Sequence, residues 1–302
     1  MNILTQIADI IGKENVHTRE SMAKHTTFKA GGNADYLVSV SEVEQISELI
    51  KIAKEQGLPY YILGKGSNVL FSDQGYRGMI IQISNNFSHT KWEKNTVVAK
   101  AGISIAKLAL EAARYSLSGL EFASGILGTL GGAIYMNAGA YGGEMKDCVS
   151  EVKVLTSSGE LATRSLEEAE LGYRTSSFQQ KNEIIIEAKL TLIQSNQEQI
   201  FEEMKELNHK RKTKQPLEFG SAGSTFKRPE GYFAGKLIED AGLRGYRIGD
   251  AQVSEKHCGF IINRGEATAT QIYQLIQYVK DIVYQNTGIT LETEVRLIGD
   301  FE

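Results

Sequence analysis

Two glycine-rich segments are the first places in the sequence where chemistry could occur, because backbone without side chains can approach a ligand closely. The first, Gly64-Lys65-Gly66-Ser67-Asn68, follows a predicted strand, and its successive N–H groups could bind a phosphate. Its spacing does not fit the dinucleotide fingerprint, since Leu70 stands where a further glycine would be needed. A tight turn between two strands is an equally simple interpretation.

The second segment, residues 122–143, contains no charged residue and many glycines. Ordering so much glycine costs backbone entropy, so its presence indicates a steric requirement. The segment is long enough to cross a membrane, but its glycines together with Thr129 and Asn137 do not suit a spanning helix. Contact with a flat or phosphorylated ligand is the favoured interpretation. A flexible linker would contain more serine and fewer large apolar residues.

Three later segments place polar groups beside predicted strands. They are Gly172-Tyr173-Arg174, the stretch 220–229 around Ser224, and the stretch 291–296. In the last of these, Glu292, Glu294 and Arg296 alternate and so share one face of a strand. Each segment taken alone is explained at least as well by a turn or a solvated surface.

Several other kinds of active site are excluded by spacing. The stretch 231–236 is too short for a Walker phosphate-binding loop, and Leu237 replaces the required serine or threonine. The histidines, at positions 17, 25, 89, 209 and 257, lack metal-ligand spacing, so no metal is expected. Gly223-Ser224-Thr225 lacks the second glycine of a nucleophile elbow. Cys148 and Cys258 are too few for a disulfide framework and indicate a reducing compartment.

The elements that must position these residues follow from caps and periodicity. Ser41-Glu42-Val43-Glu44 predicts a capping box, with Ser41 as N-cap, for a helix that ends at Gly57 between strands 35–40 and 60–63. Further strands are predicted at 79–83, 96–100, 151–156, 161–164, 184–193, 248–253, 259–263 and 291–298, and helices at 104–115, 197–214 and 268–284.

Composition sets the class of protein. With 302 residues, 41 % hydrophobic and 23 % charged, the chain is expected to fold as a soluble globular protein of two or three domains. Its net charge of −4 disfavours nucleic-acid binding. The N-terminus has no basic region, and Asp9 interrupts its apolar stretch, so no secretory signal is expected. The sequence therefore predicts a cytoplasmic protein with no nucleic-acid or membrane partner, and no protein partner can be inferred.

Taken together and in order, these segments resemble the UDP-N-acetylenolpyruvoylglucosamine reductases, the flavoenzyme family called MurB. The resemblance includes residues 25–32, 63–70 and 124–142 and the three later segments, and so runs through nearly the whole chain. The stretch between Arg174 and Ser224 is short, which is typical of the second type of the enzyme. The sequence departs from the family at Leu127, where proline is common, and at Arg228, where asparagine is common.

The resemblance implies an α+β fold of the vanillyl-alcohol oxidase FAD-binding type. Two α+β flavin subdomains, 1–85 and 86–196, would precede a C-terminal α+β substrate domain, 197–302. It implies non-covalent FAD, NADPH as co-substrate, and reduction of a UDP-sugar enolpyruvyl ether to UDP-N-acetylmuramate in peptidoglycan synthesis. The alternatives are a FAD-dependent sugar or alcohol oxidase of the same fold, and a flavin-binding or nucleotide-binding module without catalysis.

The resemblance also implies roles for individual residues. Ser224 would donate a proton, while Arg174 and Glu294 would stabilise an enolate-like state. Substrate contacts are expected from Tyr173, Lys227, Arg228, His257 and Arg296, and Arg228 could donate to a phosphate in place of the family's asparagine. FAD contacts are expected from Gly64, Gly66, Ser67, Asn68, Ser124, Gly125, Gly128, Thr129, Gly131, Gly132, Asn137, Ala138 and Gly139.

Overall fold

The computed structural model describes residues 2–301. Its helices are α1 (Ile3–Ile11), α2 (Val43–Glu55), α3 (Ile105–Arg114), α4 (Leu130–Tyr135), α5 (Leu166–Ala169), α6 (Ser177–Lys181), α7 (Gln197–Lys214), α8 (Ala234–Asp240) and α9 (Ala269–Thr287). Its strands are β1 (Val16–Ser21), β2 (Asn33–Ser39), β3 (Tyr60–Leu63), β4 (Val69–Phe71), β5 (Tyr76–Gln82), β6 (Thr90–Glu93), β7 (Thr96–Lys100), β8 (Leu117–Ser118), β9 (Gly139–Ala140), β10 (Gly143–Glu144), β11 (Val149–Leu155), β12 (Leu161–Ser165), β13 (Ile184–Thr191), β14 (Ile193–Gln194), β15 (Arg247–Ile248), β16 (Ala251–Val253), β17 (Ile261–Asn263) and β18 (Arg296–Ile298).

Most predicted elements are present, and β3, β7 and α7 have the predicted bounds. The capping box of α2 is shifted by one residue from the prediction. Glu42 is the N-cap, and the side chain of Gln45 closes the box by accepting hydrogen bonds from the N–H groups of Ser41 and Glu42 at 2.9 and 3.1 Å. Because the box pairs Glu42 with Gln45 and not Ser41 with Glu44, the first helical residue is Val43.

Five helices were not predicted, namely α1, α4, α5, α6 and α8. Helix α4 lies inside the glycine-rich segment, where glycine lowers helix propensity and conceals the pattern. Thr129 caps this helix, because its Oγ1 accepts the N–H of Gly132 at 3.3 Å. The predicted strand 291–298 is also shorter than expected, since only β18 and an isolated bridge at Thr293 are extended.

The described chain divides into two compact units, each assembled from separate stretches of sequence. The first unit contains residues 2–17, 37–64 and 80–211, and the second contains residues 18–36, 65–79 and 212–301. This division differs from the three consecutive domains of the sequence prediction, 1–85, 86–196 and 197–302. The boundary crosses the chain repeatedly, so no single linker marks it.

The first unit is built on a five-stranded antiparallel sheet in the order β12-β11-β13-β7-β6. Helix α3 has one apolar face, formed by Ile105, Leu108 and Ala112, and these residues are buried. In the same unit the end of β5 lies between β3 and the end of β2. Helix α7 is rich in charged residues, and it buries Ile200, Met204 and Arg211 along one face.

The second unit has its own hydrophobic core. Helix α9 buries Ile272, Leu275, Ile276, Val279 and Val283 at helical spacing. These residues belong to a buried cluster that also includes residues of α8, β16 and β17. The sheet β15-β16-β17 is antiparallel, while β18 pairs in parallel with β4. The pairing of β18 with β4 brings the last motif of the sequence beside the first glycine loop.

Candidate active site

The two glycine-rich segments meet in the first unit. An ideal Cβ on Gly64, directly after β3, would lie 2.5 Å from Oγ1 of Thr129. A side chain at position 64 would therefore collide with the cap of α4, and glycine is required for this approach. The bridge between Ser104 and Thr129, together with a bond from the Ile105 N–H to the Gly128 carbonyl at 3.2 Å, holds the start of α4.

The rest of the first loop, residues 65–68, lies in the second unit. Gly66 has a φ of 65°, and a Cβ there would lie 2.0 Å from the carbonyl oxygen of His25. The Gly66 carbonyl accepts a bond from the N–H of Thr27 at 3.0 Å. Within residues 2–301, the backbone N–H groups of residues 65–68 make no hydrogen bond to the protein. Four successive free donors, on Lys65, Gly66, Ser67 and Asn68, form a site that suits an anion.

Gly131 and Gly132 are adjacent in α4 but differ in their surroundings. A Cβ on Gly131 would lie 2.9 Å from the Cβ of Ala101, so contact within the protein explains this glycine. A Cβ on Gly132 would meet only Thr129 Oγ1, at 3.4 Å, and Gly132 is exposed. The protein therefore leaves room above Gly132, where a ligand could lie against the backbone.

Helix α7 holds the beginning of the glycine-rich segment. Nη1 of Arg211 donates to the Gly125 carbonyl at 2.7 Å and Nη2 donates to the Phe122 carbonyl at 3.3 Å. Nδ2 of Asn208 donates to Ser124 Oγ at 3.1 Å. A Cβ on Gly125 would lie 2.8 Å from Arg211 Nε, so this glycine is needed for the arginine to cross it. Ser124 and Gly125 are thus engaged by α7.

At the end of the segment, Asn137 is buried although a cofactor contact was expected there. Asn137 is 0 % exposed and its amide is fully used inside the first unit, so its side chain has no surface that a bound molecule could touch. Ala138 bonds to Ala133 through its N–H and to Met145 through its carbonyl. Gly139 leaves no room for a Cβ, which would lie 2.8 Å from the Gly143 carbonyl oxygen.

Arg174 lies at the tip of a two-residue turn in the first unit. Gly172 and Thr175 exchange two backbone bonds, at 3.1 and 3.3 Å, and leave Tyr173 and Arg174 between them. Arg174 has a φ of 55°, a left-handed conformation that costs a residue with a Cβ about 1–2 kcal/mol. Its guanidinium lies 5.0 Å from the ring centroid of exposed Tyr173 and donates to the Gly139 carbonyl at 3.4 Å. Strained arginines of this kind are typical of functional sites.

Ser224 and Glu294 come together in the second unit. The segment after Ser224 lies antiparallel to the segment before Val295, with Phe226 opposite Thr293. The N–H of Glu294 donates to the carbonyl of Thr225 at 2.8 Å. Thr225 is itself fixed, since its buried Oγ1 accepts the N–H of Ile261 at 2.9 Å. Exposed Ser224 thus lies one residue from a backbone bond to Glu294.

The first glycine loop joins this pair. Nδ2 of Asn68 donates to the carbonyl of Glu294 at 3.2 Å, and the N–H of Arg296 donates to the carbonyl of Asn68 at 3.0 Å. Asn68, predicted to bind the cofactor, and Glu294, predicted to be catalytic, therefore share one hydrogen-bonded cluster. The parallel pairing of Arg296 with Val69 continues this cluster into β4 and β18.

The predicted substrate-binding residues of the second unit have partners within it. Lys227 Nζ forms an ion pair with Glu292 Oε2 at 3.0 Å. The Arg228 guanidinium lies 4.2 Å from the ring centroid of exposed Phe233. His257 is half-buried, and Nδ1 of its ring accepts the N–H of Gly259 at 3.1 Å, which leaves the proton of the neutral ring on Nε2. Burial lowers the pKa of His257, so the ring is neutral at pH 7.

Several residues that build these sites were not predicted. Arg211 could have been found from its position, because it lies at helical spacing from Ile200 and Met204 and so shares their buried face. Thr225 carries no signal of this kind, since its partner Ile261 is 36 residues away. Among residues 2–301, no three acidic, histidine or cysteine side chains are grouped so that they could hold a metal ion. No helix in this part of the chain combines the length and the apolar character needed to cross a bilayer.

Comparison with known proteins identifies the family. Residues 34–165 match the model of an FAD binding domain, and residues 215–298 match the C-terminal domain model of UDP-N-acetylenolpyruvoylglucosamine reductase. The UDP-N-acetylenolpyruvoylglucosamine reductase of Lachnoclostridium phytofermentans is 51 % identical over 302 residues, which cover 99 % of this chain and 97 % of that protein.

Solved structures agree with the sequence matches. The UDP-N-acetylenolpyruvylglucosamine reductase (MurB) of Thermus caldophilus has a TM-score of 0.81 and 34 % identity, and the match covers 94 % of this chain and 99 % of that one. A glucose dehydrogenase, Phl p 4.0202, has a TM-score of 0.52 and 13 % identity over 65 % of this chain and 45 % of its own, which shows a shared fold alone. The predicted α+β, FAD-binding fold is confirmed.

Proposed function

Because the chain belongs to the UDP-N-acetylenolpyruvoylglucosamine reductase family, we propose that it reduces UDP-N-acetylglucosamine enolpyruvate to UDP-N-acetylmuramate, with bound FAD and with NADPH as electron source. The product would be a precursor of peptidoglycan, and we propose that the protein acts in the cytoplasm. The observation that carries this proposal is the bond from the Glu294 N–H to the Thr225 carbonyl at 2.8 Å. It supports a joint role for the Ser224 hydroxyl and the Glu294 carboxyl group.

The residues present fit FAD. The free N–H groups of residues 65–68 suit the anionic diphosphate of the cofactor, and the open backbone at Gly132 allows close approach. FAD, when bound, would carry a hydride from NADPH to the enolpyruvyl β-carbon. The roles of Gly64, Gly125, Gly131 and Gly139 are to bring protein segments together, since each faces atoms of the chain itself.

Ser224 would supply the proton in the second half of the reaction. Hydride addition to the β-carbon leaves negative charge on the α-carbon, and a positioned hydroxyl can protonate it. Gly223, with a φ of 76° and no atom within 4 Å of an ideal Cβ, turns the chain so that Ser224 is exposed. A serine hydroxyl is a weak acid, so it needs electrostatic assistance from neighbouring groups.

Arg174 and Glu294 would supply that assistance. A guanidinium is always charged and can stabilise the negative charge that develops on the substrate carboxylate. Glu294 can help an anion only if its carboxyl group is protonated or shared in a hydrogen bond. Its backbone is held on both sides, by Thr225 and by Asn68, so the side chain starts from a fixed point.

The substrate diphosphate would be bound by donors of the second unit. The exposed ion pair of Lys227 with Glu292 contributes less than about 1 kcal/mol, so a phosphate can take the place of the carboxylate. Arg228 keeps a planar fork that suits diphosphate oxygens while it stacks on Phe233. Nε2–H of neutral His257 is a further donor. Arg296 and Tyr173 complete the proposed contacts.

The proposal is tested by following flavin colour in the absence of oxygen. The purified protein should be yellow, and acid should release unmodified FAD. NADPH should bleach the flavin, and the enolpyruvyl ether should restore the colour while the product gains two hydrogens. UDP-N-acetylglucosamine without the enolpyruvyl group is the control and should restore nothing. Colour restored by oxygen but not by the ether would indicate an oxidase instead, and failure of NADPH to bleach the flavin would indicate a binding module.

A further inference from the structure

The turn that carries Arg174 is bonded by side chains from outside the turn. Arg174 is left-handed, with a φ of 55°, although it has a side chain, and the turn that contains it is closed by the two backbone bonds between Gly172 and Thr175. A residue with a Cβ stays in this region when its surroundings determine it. The groups that bond the turn from outside therefore help to set the direction of the guanidinium, together with its own bond to the Gly139 carbonyl.

Asn137 bonds the first corner. Its Nδ2 donates to the Gly172 carbonyl at 3.0 Å and to Glu144 Oε2 at 2.7 Å, and its Oδ1 accepts the N–H of Lys146 at 3.0 Å. Both amide hydrogens and the amide oxygen are used, and the residue is 0 % exposed. Asn137 is also left-handed, with a φ of 40°, which asparagine tolerates better than most residues.

Gln179, in α6, bonds the second corner. Its Nε2 donates to the carbonyl of Arg174 itself at 3.4 Å and to the carbonyl of Tyr135 at 2.7 Å. The Oγ of buried Ser176 donates to the same Tyr135 carbonyl at 2.8 Å. Tyr135, the last residue of α4, and Asn137, two residues later, therefore support the two sides of the turn. Asn137 bonds the turn directly, and Tyr135 is linked to it through Gln179.

We propose that Asn137 and Gln179 are positioning residues that hold Arg174 in its left-handed conformation and so aim its guanidinium at the substrate. The proposal rests on the function proposed above for Arg174. The proposal assigns neither amide a contact with substrate or cofactor. Asn137 is reassigned by this proposal from cofactor contact to support of the catalytic turn.

The first test uses Asn137→Gly, because glycine keeps the left-handed backbone and removes only the amide. FAD should remain bound, and NADPH should bleach the flavin at a rate within about twofold of the unsubstituted protein, because Arg174 has no role in that step. Reoxidation by the enolpyruvyl ether should slow by about tenfold or more, because a misplaced charge loses much of its effect on the transition state. Unchanged reoxidation would overturn the proposal.

The second test does not depend on activity. Trypsin cleaves after arginine, and a rigid turn resists cleavage while a loosened one is cut. Asn137→Gly should therefore be cut between Arg174 and Thr175 about tenfold faster than the unsubstituted holoenzyme, as identified by peptide mass. Cleavage at the unsubstituted rate would overturn the proposal. If the enolpyruvyl ether fails to reoxidise even the unsubstituted protein, the proposed function fails, and trypsin still reports whether the turn is held.

Asn182→Gly is the matched control. Asn182 is exposed, left-handed with a φ of 51°, and caps the end of α6, so the substitution has the same backbone effect without loss of a buried amide. It should change neither reoxidation nor cleavage at Arg174.

Gln179→Met is the second variant if Asn137→Gly does not fold, since methionine fills similar space but donates no hydrogen bond. It should give the same two changes, and protection of Arg174 with normal reoxidation in Gln179→Met would overturn the proposal. Loss of FAD from Asn137→Gly with Arg174 still protected would also overturn it.

Discussion

The Arg174 turn of the first unit and the Ser224 segment of the second unit hold their polar side chains by different means. The turn depends on buried side-chain amides, Asn137 and Gln179, which bond backbone carbonyls from outside. The Ser224 segment is held by the backbone, through the Glu294 N–H and the Thr225 carbonyl, and by the one buried hydroxyl of Thr225.

This difference distinguishes two kinds of substitution, those that remove a catalytic side chain and those that remove the residues that hold it in place. Where side chains provide the support, one substitution away from the chemistry can move the catalytic group. Where the backbone provides it, most substitutions leave the framework intact, and an effect on rate reports the chemistry of the side chain that was changed. This contrast between side-chain support and backbone support can be tested by substitution.

The largest effect is expected for Ser224→Ala. Within residues 2–301 the Ser224 hydroxyl makes no hydrogen bond to the protein, so its loss should leave the unfolding temperature nearly unchanged. NADPH should bleach the flavin at close to the normal rate. Reoxidation by the enolpyruvyl ether should slow by roughly 10²–10⁴-fold, the range for loss of a positioned general acid. Stopped-flow absorbance measures the two half-reactions separately.

Ser221→Ala is the control, because Ser221 lies in the same segment and has no assigned role. Equal slowing of both half-reactions in Ser224→Ala would point to a displaced flavin rather than to a lost proton. A large fall in its unfolding temperature would break the contrast, since Ser224 would then support the segment as well as act in it.

The comparison also shows what the sequence could and could not predict. Regular elements such as β3, β7 and α7 follow from local periodicity, and their bounds were predicted correctly. The motifs around Arg174, Ser224 and Glu294 were found because residue types and order resemble those of a family. The backbone cluster of Asn68 and Glu294, which are 226 residues apart, could not be predicted because it depends on how the strands pair.

The supports of the site were missed or misread for a physical reason. Asn137 lies in a glycine-rich segment, so sequence alone assigned it to the cofactor, whereas its partner Gly172 is 35 residues away. Gly125 is glycine because Arg211, 86 residues later, crosses it. A glycine shows that something comes close, but the sequence does not show whether that neighbour is ligand or protein.

Gly131 and Gly132 allow that distinction to be tested with adjacent residues. Gly132→Ala should weaken FAD binding by about tenfold or more, because a new methyl group would stand between backbone and cofactor at a cost of about 1–3 kcal/mol. Without FAD it should unfold at a slightly higher temperature, since alanine favours helix by up to about 1 kcal/mol. Titration with FAD and thermal unfolding of the FAD-free protein measure the two effects.

Gly131→Ala should show the opposite pattern. Its Cβ would lie 2.9 Å from the Cβ of Ala101, so overpacking should lower the free energy of unfolding by about 1–3 kcal/mol with or without FAD. Normal FAD affinity in Gly132→Ala would show that no cofactor lies over this position. The exposure of Gly132 in α4 would then follow from the fold alone, without a bound ligand.

The smallest effect is expected at a side-chain support in the second unit, remote from Ser224. The Asp73 carboxylate accepts the N–H groups of Ala269 and Thr270 at 2.8 and 2.7 Å, and so holds the first turn of α9. Burial raises the pKa of Asp73, but the hydrogen bonds from Thr270 and Ala269 outweigh it, and the pKa is lowered overall. Asp73→Asn should cost about 1 kcal/mol at pH 7, a modest value because the carboxylate is exposed to water.

The pH dependence identifies the cause of that loss. A carboxyl group whose pKa is lower in the folded protein than its unfolded value, about 3.9, adds stability at higher pH. This contribution disappears as the pH falls from about 4 through the lower folded pKa, so the unsubstituted protein and Asp73→Asn should approach each other in stability there. Urea unfolding at pH 7 and near pH 3 measures the difference. Asp281→Asn, on the exposed side of α9, removes the same charge without a cap and should cost little at either pH. A loss in Asp73→Asn that stays constant with pH would show that the charge of Asp73 does not support α9.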